Sequence, residues 1–133
     1  MDTPMDLLIK KAYEAKEMAY APYSGFLVGA SILCKDGSVY TGCNVENASY
    51  GATLCAERVA ITKAISEGKH DFTAIAIVGS GDDYCYPCGM CRQVMAEHCT
   101  SDFKIVLPLI NNETKSLTLG ELLPCSFTKG NMK

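Results

Sequence analysis

Apolar side chains recur along the chain at two different spacings, and each spacing predicts a different kind of element. Between residues 5 and 20 they return every three to four positions, which is the period of an amphipathic helix. Thr3 and Pro4 stand directly before this segment and are typical of a helix start, because a hydroxyl caps the first turn and proline fits its first position. Residues 72–78 are instead almost continuously apolar, as in a strand that is covered on both faces.

Turn signals divide the rest of the chain. Lys35-Asp36-Gly37 predicts a hairpin turn, and Gly68 stands where the end of a helix is expected. With these breaks the pattern predicts, in chain order, a helix over 5–20, strands over 26–34 and 38–45, a helix over 52–67, a strand over 72–78, a helix over 88–98, a strand over 103–110 and a short helix over 119–123. A hairpin followed by helix, strand, helix and strand predicts a mixed sheet with helices on both faces. We therefore expect one α/β domain over residues 1–133, folded as a three-layer α/β/α sandwich.

Composition and charge narrow the possible partners. The 133 residues carry a net charge of −3, and Lys and Arg form no run. A long nucleic acid is bound through a clustered basic face, so we expect no nucleic-acid partner. No stretch approaches the roughly 20 apolar residues that span a bilayer, and the acidic start Met1-Asp2-Thr3-Pro4 is unlike a signal peptide. These features predict a cytoplasmic protein without a membrane partner.

Eight cysteines are many for a chain of this length. Their even number would suit four disulfides in a secreted protein, whereas in a reducing compartment clustered cysteines are more often metal ligands or catalytic groups. Cys34, Cys43, Cys99 and Cys125 have no partner at a ligand-like spacing and are predicted to be small core residues. The number of cysteines alone leaves both interpretations open.

Two short motifs carry the candidate chemistry, Cys55-Ala56-Glu57-Arg58 and Pro87-Cys88-Gly89-Met90-Cys91-Arg92. Each lies where a loop or strand leads into a predicted helix. Cys88 and Cys91 are three positions apart, so both side chains leave one face of a first helical turn, where free N–H groups and the helix dipole stabilise thiolates. Zinc prefers four ligands in a tetrahedron, and three protein thiolates leave one position open for water, as in catalytic zinc sites.

Glu57 supplies the group that a reaction needs beside the metal. It follows Cys55 by two positions, and on a regular helix the two side chains would point about 200° apart. They converge only if Cys55 lies at the mouth of the helix, so we expect the site at helix N-termini. Arg58 and Arg92 are the only arginines of the chain, and each directly follows one of the two motifs. A guanidinium near the sulfurs would offset the negative charge of three thiolates, and either arginine fits this role.

The same residues also have simpler interpretations. An isolated CxxC pair is often a redox couple or half of a structural zinc site. Cys85 forms a second CxxC with Cys88, so the spacing leaves open which pair binds metal. A closed structural site would use Cys85 as its fourth thiolate. The upstream Cys-Ala-Glu sequence, placed before a predicted helix, favours the catalytic interpretation.

Together, Cys55-Ala56-Glu57-Arg58 and Pro87-Cys88-x-x-Cys91 resemble the signature of zinc-dependent deaminases. Three further segments are similar to the small homotetrameric cytidine deaminases in particular: Tyr23-Ser24-x-Phe26-x-Val28-Gly29-Ala30, Gly42-Cys43-Asn44-Val45-Glu46-Asn47-Ala48, and Leu122-Leu123-Pro124 with Phe127. The similarity extends over nearly the whole chain in the expected order. It implies a cytidine deaminase-like fold with a mixed sheet of five strands, one more than the hydrophobic pattern locates.

The resemblance also implies roles for individual residues. Cys55, Cys88 and Cys91 would hold one zinc ion per subunit, with Glu57 as the catalytic acid and base and Cys85 as a bystander. The implied substrate contacts are Phe26 to the pyrimidine ring, Asn44 and Glu46 to the ribose 3′-hydroxyl, Ala56, and Tyr50 and Phe127 from a neighbouring subunit of a homotetramer. Met90 replaces a smaller residue that is common at its place and is expected to fill core space.

The predicted activity is the zinc-dependent hydrolytic deamination of free cytidine and 2′-deoxycytidine to uridine or deoxyuridine and ammonia, in pyrimidine salvage. Glu46 favours free nucleosides, because a carboxylate accepts a hydrogen bond from a hydroxyl and repels a phosphate. Two alternatives stay open at this point. One is a deaminase of another aminopyrimidine nucleoside, an antibiotic or a nucleic acid, and the other is a structural zinc or redox interaction module. The acidic net charge weighs against a nucleic acid.

Overall fold

A computed structural model describes residues 3–132 of the chain. Its elements in chain order are α1 (Pro4–Lys16), β1 (Val28–Cys34), β2 (Val39–Cys43), α2 (Ala56–Ser66), β3 (Phe72–Gly79), α3 (Gly89–His98), β4 (Lys104–Pro108), β5 (Thr114–Thr118) and α4 (Leu119–Leu122), with short 3₁₀ helices at Tyr50–Ala52 and Lys129–Met132. Thr3 caps α1 with its side chain, as its place before Pro4 predicts. No helix within residues 3–132 is long and apolar enough to cross a lipid bilayer.

The five strands form one mixed sheet in the order β2-β1-β3-β4-β5. β1 runs antiparallel to both β2 and β3, and β5 runs antiparallel to β4. β3 and β4 are parallel. Because parallel neighbours need a crossover, α3 connects them across one face of the sheet. The predicted mixed α/β sheet is confirmed.

Helices cover both faces of the sheet. α1 lies on one face, where Leu8 is buried in the same cluster as Val78 of β3. On the other face a larger cluster of buried side chains joins Ile61 of α2 and Met95 of α3 to Ile75 of β3. Residues 75 and 78 of one strand face opposite sides because successive side chains alternate across a sheet. The arrangement is the predicted three-layer α/β/α sandwich.

Gly42 of β2 allows α2 to lie directly on the sheet. A Cβ at this position would stand 2.5 Å from the carbonyl oxygen of Ala56 and 2.6 Å from the backbone nitrogen of Ala60. Both of these are helix backbone atoms, so a side chain at residue 42 would force the first turn of α2 away from the sheet. That turn carries the Cys55 motif. The absence of a side chain at Gly42 therefore helps to fix the position of the candidate chemistry.

The first helix ends earlier than its apolar pattern predicts. α1 stops at Lys16 rather than at residue 20. The Tyr20 N–H donates to the Asn44 carbonyl at 2.9 Å, and the Tyr20 carbonyl accepts from the Glu46 N–H at 2.9 Å. This backbone pairing needs an extended conformation at Tyr20. A tertiary contact therefore ends the helix where the hydrophobic period alone continues.

The start of the second helix also differs from the pattern. α2 begins at Ala56 rather than at residue 52. Leu54 and Val45 exchange two backbone hydrogen bonds of 2.9 Å each, so the chain is extended immediately before the helix. This extended segment places Cys55 at the mouth of the helix, which is the position that the convergence of Cys55 and Glu57 requires.

β5 is the strand that the hydrophobic pattern misses. Its sequence TKSLT is polar, and its first three residues are exposed. An edge strand with one partner is held by backbone hydrogen bonds, which leave little trace in hydrophobicity. Two predicted core residues are also exposed: Met90 on α3, with 62% of its surface accessible, and Cys125. Apolar character alone does not place a side chain in the core.

Candidate active site

The N-termini of α2 and α3 carry the three predicted zinc ligands. Cys55 and Cys88 are the N-cap residues of the two helices, both in extended conformation, and neither side chain caps its own helix. Cys91 lies in the first turn of α3 and is buried. The positive ends of the two helix dipoles therefore lie at the three sulfurs, where they stabilise the thiolate form.

The three sulfurs form a compact triangle. The Cys55 and Cys88 Sγ atoms are 3.8 Å apart, and the Cys88 and Cys91 Sγ atoms are 3.4 Å apart. All three lie within 4.8 Å of one another. A tetrahedral zinc with Zn–S bonds of about 2.3 Å separates its sulfurs by about 3.8 Å. The triangle fits zinc, and its three donors leave a fourth tetrahedral position to another ligand.

Cys85 lies outside this triangle. A Cβ placed on Gly79 would come within 3.2 Å of the Cys85 Sγ, so this sulfur lies against the end of β3. Burial raises the pKa of the Cys85 thiol to about 12, which keeps it protonated. Within residues 3–132 the only grouping of three or more metal-ligating side chains is Cys55, Cys88 and Cys91. The structure thus brings Cys88 together with Cys91, and the closed four-thiolate arrangement with Cys85 is not formed.

Of the two arginines, Arg58 is the one that reaches a sulfur. Its Nη2 atom lies 3.6 Å from the Cys55 Sγ and donates to the Thr53 carbonyl at 3.0 Å. Hydrogen bonds from the Cys91 thiol and from the Arg58 guanidinium lower the pKa of Cys55 to about 5, against the opposing effect of burial. Arg58 therefore places a permanent positive charge beside the candidate metal ligands.

Arg92 serves a different contact. Its Nε donates to the Pro87 carbonyl and its Nη1 to the Leu122 carbonyl, both at 2.8 Å. These bonds tie the loop before Cys88 to the end of α4. The sequence could not predict which arginine contacts the sulfurs, because the two follow equivalent motifs and differ only in the direction of their side chains.

Glu57 is buried at the same helix mouth, with 4% of its surface accessible. Burial raises the pKa of its carboxyl to about 7, and hydrogen bonds from its own backbone N–H and from the Cys91 thiol oppose this rise only in part. A carboxyl with a pKa near neutrality can both accept and release a proton, as general acid–base catalysis requires. The structure thus brings Glu57 and the thiolates to one place.

A cavity of about 330 Å³ opens from this point towards the surface. Four of the predicted substrate contacts, Phe26, Asn44, Glu46 and Ala56, line it together with Cys55, Glu57 and Cys88. Its volume lies at the lower end of the range for small-molecule sites. The cavity therefore suits a ligand of nucleoside size that ends at the sulfur triangle.

Phe26 forms one wall of the cavity and packs on the end of β3. A Cβ on Gly79 would stand 2.7 Å from the Phe26 Cζ atom, so the ring occupies the space that a side chain there would fill. The Asn44 side chain holds the backbone at the start of β1. Its Nδ2 donates to the Phe26 carbonyl at 2.8 Å, and its Oδ1 accepts from the Val28 N–H at 2.9 Å. One Nδ2 hydrogen of Asn44 remains for a ligand.

Glu46 is held by the loop that leads to Phe26. Its Oε1 accepts from the N–H groups of Tyr23 at 3.0 Å and Ser24 at 3.1 Å, and its Oε2 accepts from the Ser24 hydroxyl. The Ser24 hydroxyl lowers the pKa of Glu46, with smaller contributions from the two N–H groups, so the group stays a carboxylate. The sequence motif contains Ser24 but predicts no role for it.

Tyr50 and Phe127 do not line the cavity that contains the sulfur triangle. Tyr50 is 77% exposed and lines an adjoining cavity with Glu46. Its ring meets the Tyr23 ring edge-on, with 6.2 Å between the two ring centroids. Phe127 is 62% exposed, and its carbonyl accepts from the Gln93 Nε2 at 2.7 Å. Within one chain, both aromatic rings therefore face outward.

A buried carboxyl beside three cysteine sulfurs, at the N-termini of two helices on an α/β/α sandwich, is the arrangement expected of a zinc-dependent hydrolase. Comparison with known proteins gives the family. Residues 3–107 match the family described as the cytidine and deoxycytidylate deaminase zinc-binding region. The chain belongs to the cytidine and deoxycytidylate deaminase family.

Individual relatives agree over almost the full length. The chain is 53% identical over 126 residues to the cytidine deaminase of Halalkalibacterium halodurans, and these residues cover 95% of this chain and 96% of the relative. Among solved structures, the cytidine deaminase of Burkholderia pseudomallei has 46% identity and a TM-score of 0.87, covering 91% of this chain and 97% of the other. The cytidine deaminase of Mycobacterium tuberculosis has 42% identity and a TM-score of 0.80, covering 95% of this chain and 98% of the other.

Proposed function

We propose that the protein catalyses the hydrolytic deamination of free cytidine and 2′-deoxycytidine, giving uridine or deoxyuridine and ammonia. Its similarity to the named relatives supports this activity. The single observation that carries the proposal is the buried Glu57 carboxyl beside the triangle of Cys55, Cys88 and Cys91 sulfurs, at the end of a nucleoside-sized cavity.

The proposed mechanism uses Glu57 as a proton shuttle. When zinc is bound by Cys55, Cys88 and Cys91, it supplies a water of lowered pKa as the nucleophile for C4 of cytosine. The Glu57 carboxylate accepts a proton from this water and gives it to N3 of the ring. Once the water oxygen is bonded to C4, Glu57 would take the second proton from that hydroxyl group and pass it to the amino group, so that the C4=O bond forms as the C4–N bond breaks and ammonia leaves. The amino group is a poor leaving group, so the acid that protonates it is essential.

The other walls of the cavity would orient the nucleoside. Phe26 would contact the pyrimidine ring, and Asn44 and Glu46 would bind the ribose 3′-hydroxyl through their remaining hydrogen-bonding positions. Ala56 begins α2, so its N–H belongs to the first turn that has no partner within the helix and can donate to the substrate. The Glu46 carboxylate would repel a 3′-phosphate, which favours free nucleosides over a nucleic acid strand.

We further propose that the protein is a homotetramer whose subunits share their pockets. Tyr50, Phe127 and Met90 are large apolar side chains with most of their surface exposed within one chain, so a neighbouring subunit could cover them. We place the activity in pyrimidine salvage in the cytoplasm. None of the eight cysteines, all of which lie within residues 3–132, forms a disulfide, which agrees with a reducing compartment.

Light scattering is expected to give a particle of four times the 14.3 kDa chain mass. Tyr50→Ala should raise the KM for cytidine about fivefold, since an aromatic contact contributes about 1 kcal/mol. Ile110→Ala serves as the control, because Ile110 is 88% exposed on the turn between β4 and β5 and has no role in the proposed pocket. A monomeric particle with full activity would contradict the shared pocket.

The activity itself is tested with purified protein and four substrates: cytidine, 2′-deoxycytidine, an aminonucleoside antibiotic and a single-stranded oligonucleotide. We expect absorbance loss and stoichiometric ammonia from the first two and no reaction of the oligonucleotide. A strong chelator should abolish turnover, and added zinc should restore it. Full activity in zinc-free protein, or selective turnover of the oligonucleotide or the antibiotic, would contradict the proposal.

A further inference from the structure

One hydroxyl lies between two groups that the proposed function assigns to the substrate. The Ser24 Oγ donates to the Oε2 of Glu46 and accepts from the backbone N–H of Phe26 at 3.0 Å. The backbone N–H of Ser24 adds a second bond to the Glu46 carboxylate at 3.1 Å. Gly25 has a φ of +70°, which turns the chain so that residues 24 and 26 can both reach the same hydroxyl.

Without this hydroxyl the two groups would be held unequally. Glu46 would keep its two N–H donors, both on Oε1, while Oε2 would have no partner among residues 3–132. Phe26 would keep the bond from Asn44 to its carbonyl, but its N–H would lose its acceptor. Rotation of the carboxylate and movement of the loop would both become easier, because hydrogen bonds to a charged group are among the stronger ones.

We propose that Ser24 is a positioning residue that holds Glu46 and Phe26 at fixed positions relative to each other, so that the ribose and pyrimidine contacts are aligned before substrate binds. The inference rests on the proposed function, because Ser24 lines that same cavity and acts there by holding Glu46 and Phe26. Within residues 3–132 the hydrogen bonds of Ser24 go to Glu46 and Phe26 and none goes to Glu57 or to the three sulfurs, so it should affect binding of the nucleoside rather than the chemical step. A preorganised site avoids the cost of ordering these side chains on binding.

Ser24→Ala is expected to raise the KM for cytidine by about three- to tenfold, with kcat within about twofold of the unmodified protein. Ser24→Thr keeps the hydroxyl at an exposed position and should restore KM. Ser38→Ala is the matched control, because the Ser38 hydroxyl and N–H bind the Asp36 carboxylate in a similar way at the opposite end of β1. This control should leave both constants unchanged.

A double-variant cycle tests the route through Glu46. In a Glu46→Ala background, Ser24→Ala should add less than half of its single effect on KM, because the shared partner is gone. A full additional effect, a fall in kcat at constant KM, or failure of Ser24→Thr to restore KM would overturn the proposal. Absence of cytidine turnover by the unmodified protein would contradict the proposed function and this inference together, whereas equal KM values for it and Ser24→Ala would contradict the role of Ser24 alone.

Discussion

Glu57→Gln is expected to retain one zinc ion per chain and to lower kcat for cytidine by at least about 10³-fold, the upper part of the range for removal of a general acid–base group. The amide has the shape of the carboxyl and fits the same buried position, of which only 4% is accessible. It cannot accept a proton from water or deliver one to N3 and to the amino group. Because one residue handles each of these transfers, the loss affects every stage of the reaction.

Zinc analysis and steady-state kinetics on the same preparation measure both parts of this expectation. Glu67→Gln is the matched control, since Glu67 is an exposed residue at the opposite end of α2 and should leave kcat unchanged. Retained zinc with full deamination in Glu57→Gln would remove the assigned role. Loss of zinc in that variant would instead identify Glu57 as a group that supports the metal.

Cys88→Ser should lose both zinc and activity. Cys88 is the sulfur within 3.8 Å of Cys55 and 3.4 Å of Cys91, so its removal leaves only two of the three thiolate donors. Serine is not ionised near neutral pH and is a poor zinc ligand. The effect on metal affinity should exceed the roughly 10–100-fold that is typical of losing a group which only supports a ligand. Metal content after dialysis and the rate of cytidine turnover measure the two losses.

Cys85→Ser distinguishes this centre from a closed structural site. Its sulfur lies against Gly79 and outside the triangle, so the variant should retain one zinc ion per chain. Zinc content is the quantity to compare, because Cys85 also lines the substrate cavity. A loss of zinc from Cys85→Ser equal to that from Cys88→Ser would favour a four-thiolate structural centre.

The start of α2 was predicted better by the chemistry of the site than by the hydrophobic pattern. The hydrophobic pattern began the helix at residue 52, whereas the need for Cys55 and Glu57 to converge placed Cys55 at the helix mouth. The structure agrees with the second argument, because Cys55 is the N-cap residue. The pairing of Leu54 with Val45 that sets this boundary consists of backbone hydrogen bonds across a loop, which a hydrophobic pattern does not reveal.

Other parts of the molecule depend on contacts that leave no trace in hydrophobicity. β5 is a polar edge strand defined by its backbone pairing with β4. Arg58 and Arg92 follow equivalent motifs, and each donates to a carbonyl five residues earlier in the chain. They differ because Arg58 also reaches the Cys55 sulfur, whereas Arg92 donates to the Leu122 carbonyl, which only the folded chain brings near. The hydrogen bonds of Ser24 to Glu46 and Phe26 likewise join the loop before β1 to the segment after β2, which lie apart in the sequence.

Gly42 has a consequence for attempts to redesign this protein. Since the first turn of α2 touches the bare backbone of β2, the sheet side of the reaction centre has no spare room for new side chains. The loop from Tyr23 to Phe26 instead borders an adjoining cavity and is held by side-chain hydrogen bonds, which leave room for different side chains there. Libraries that seek altered nucleoside preference should therefore diversify the loop and leave the second strand untouched.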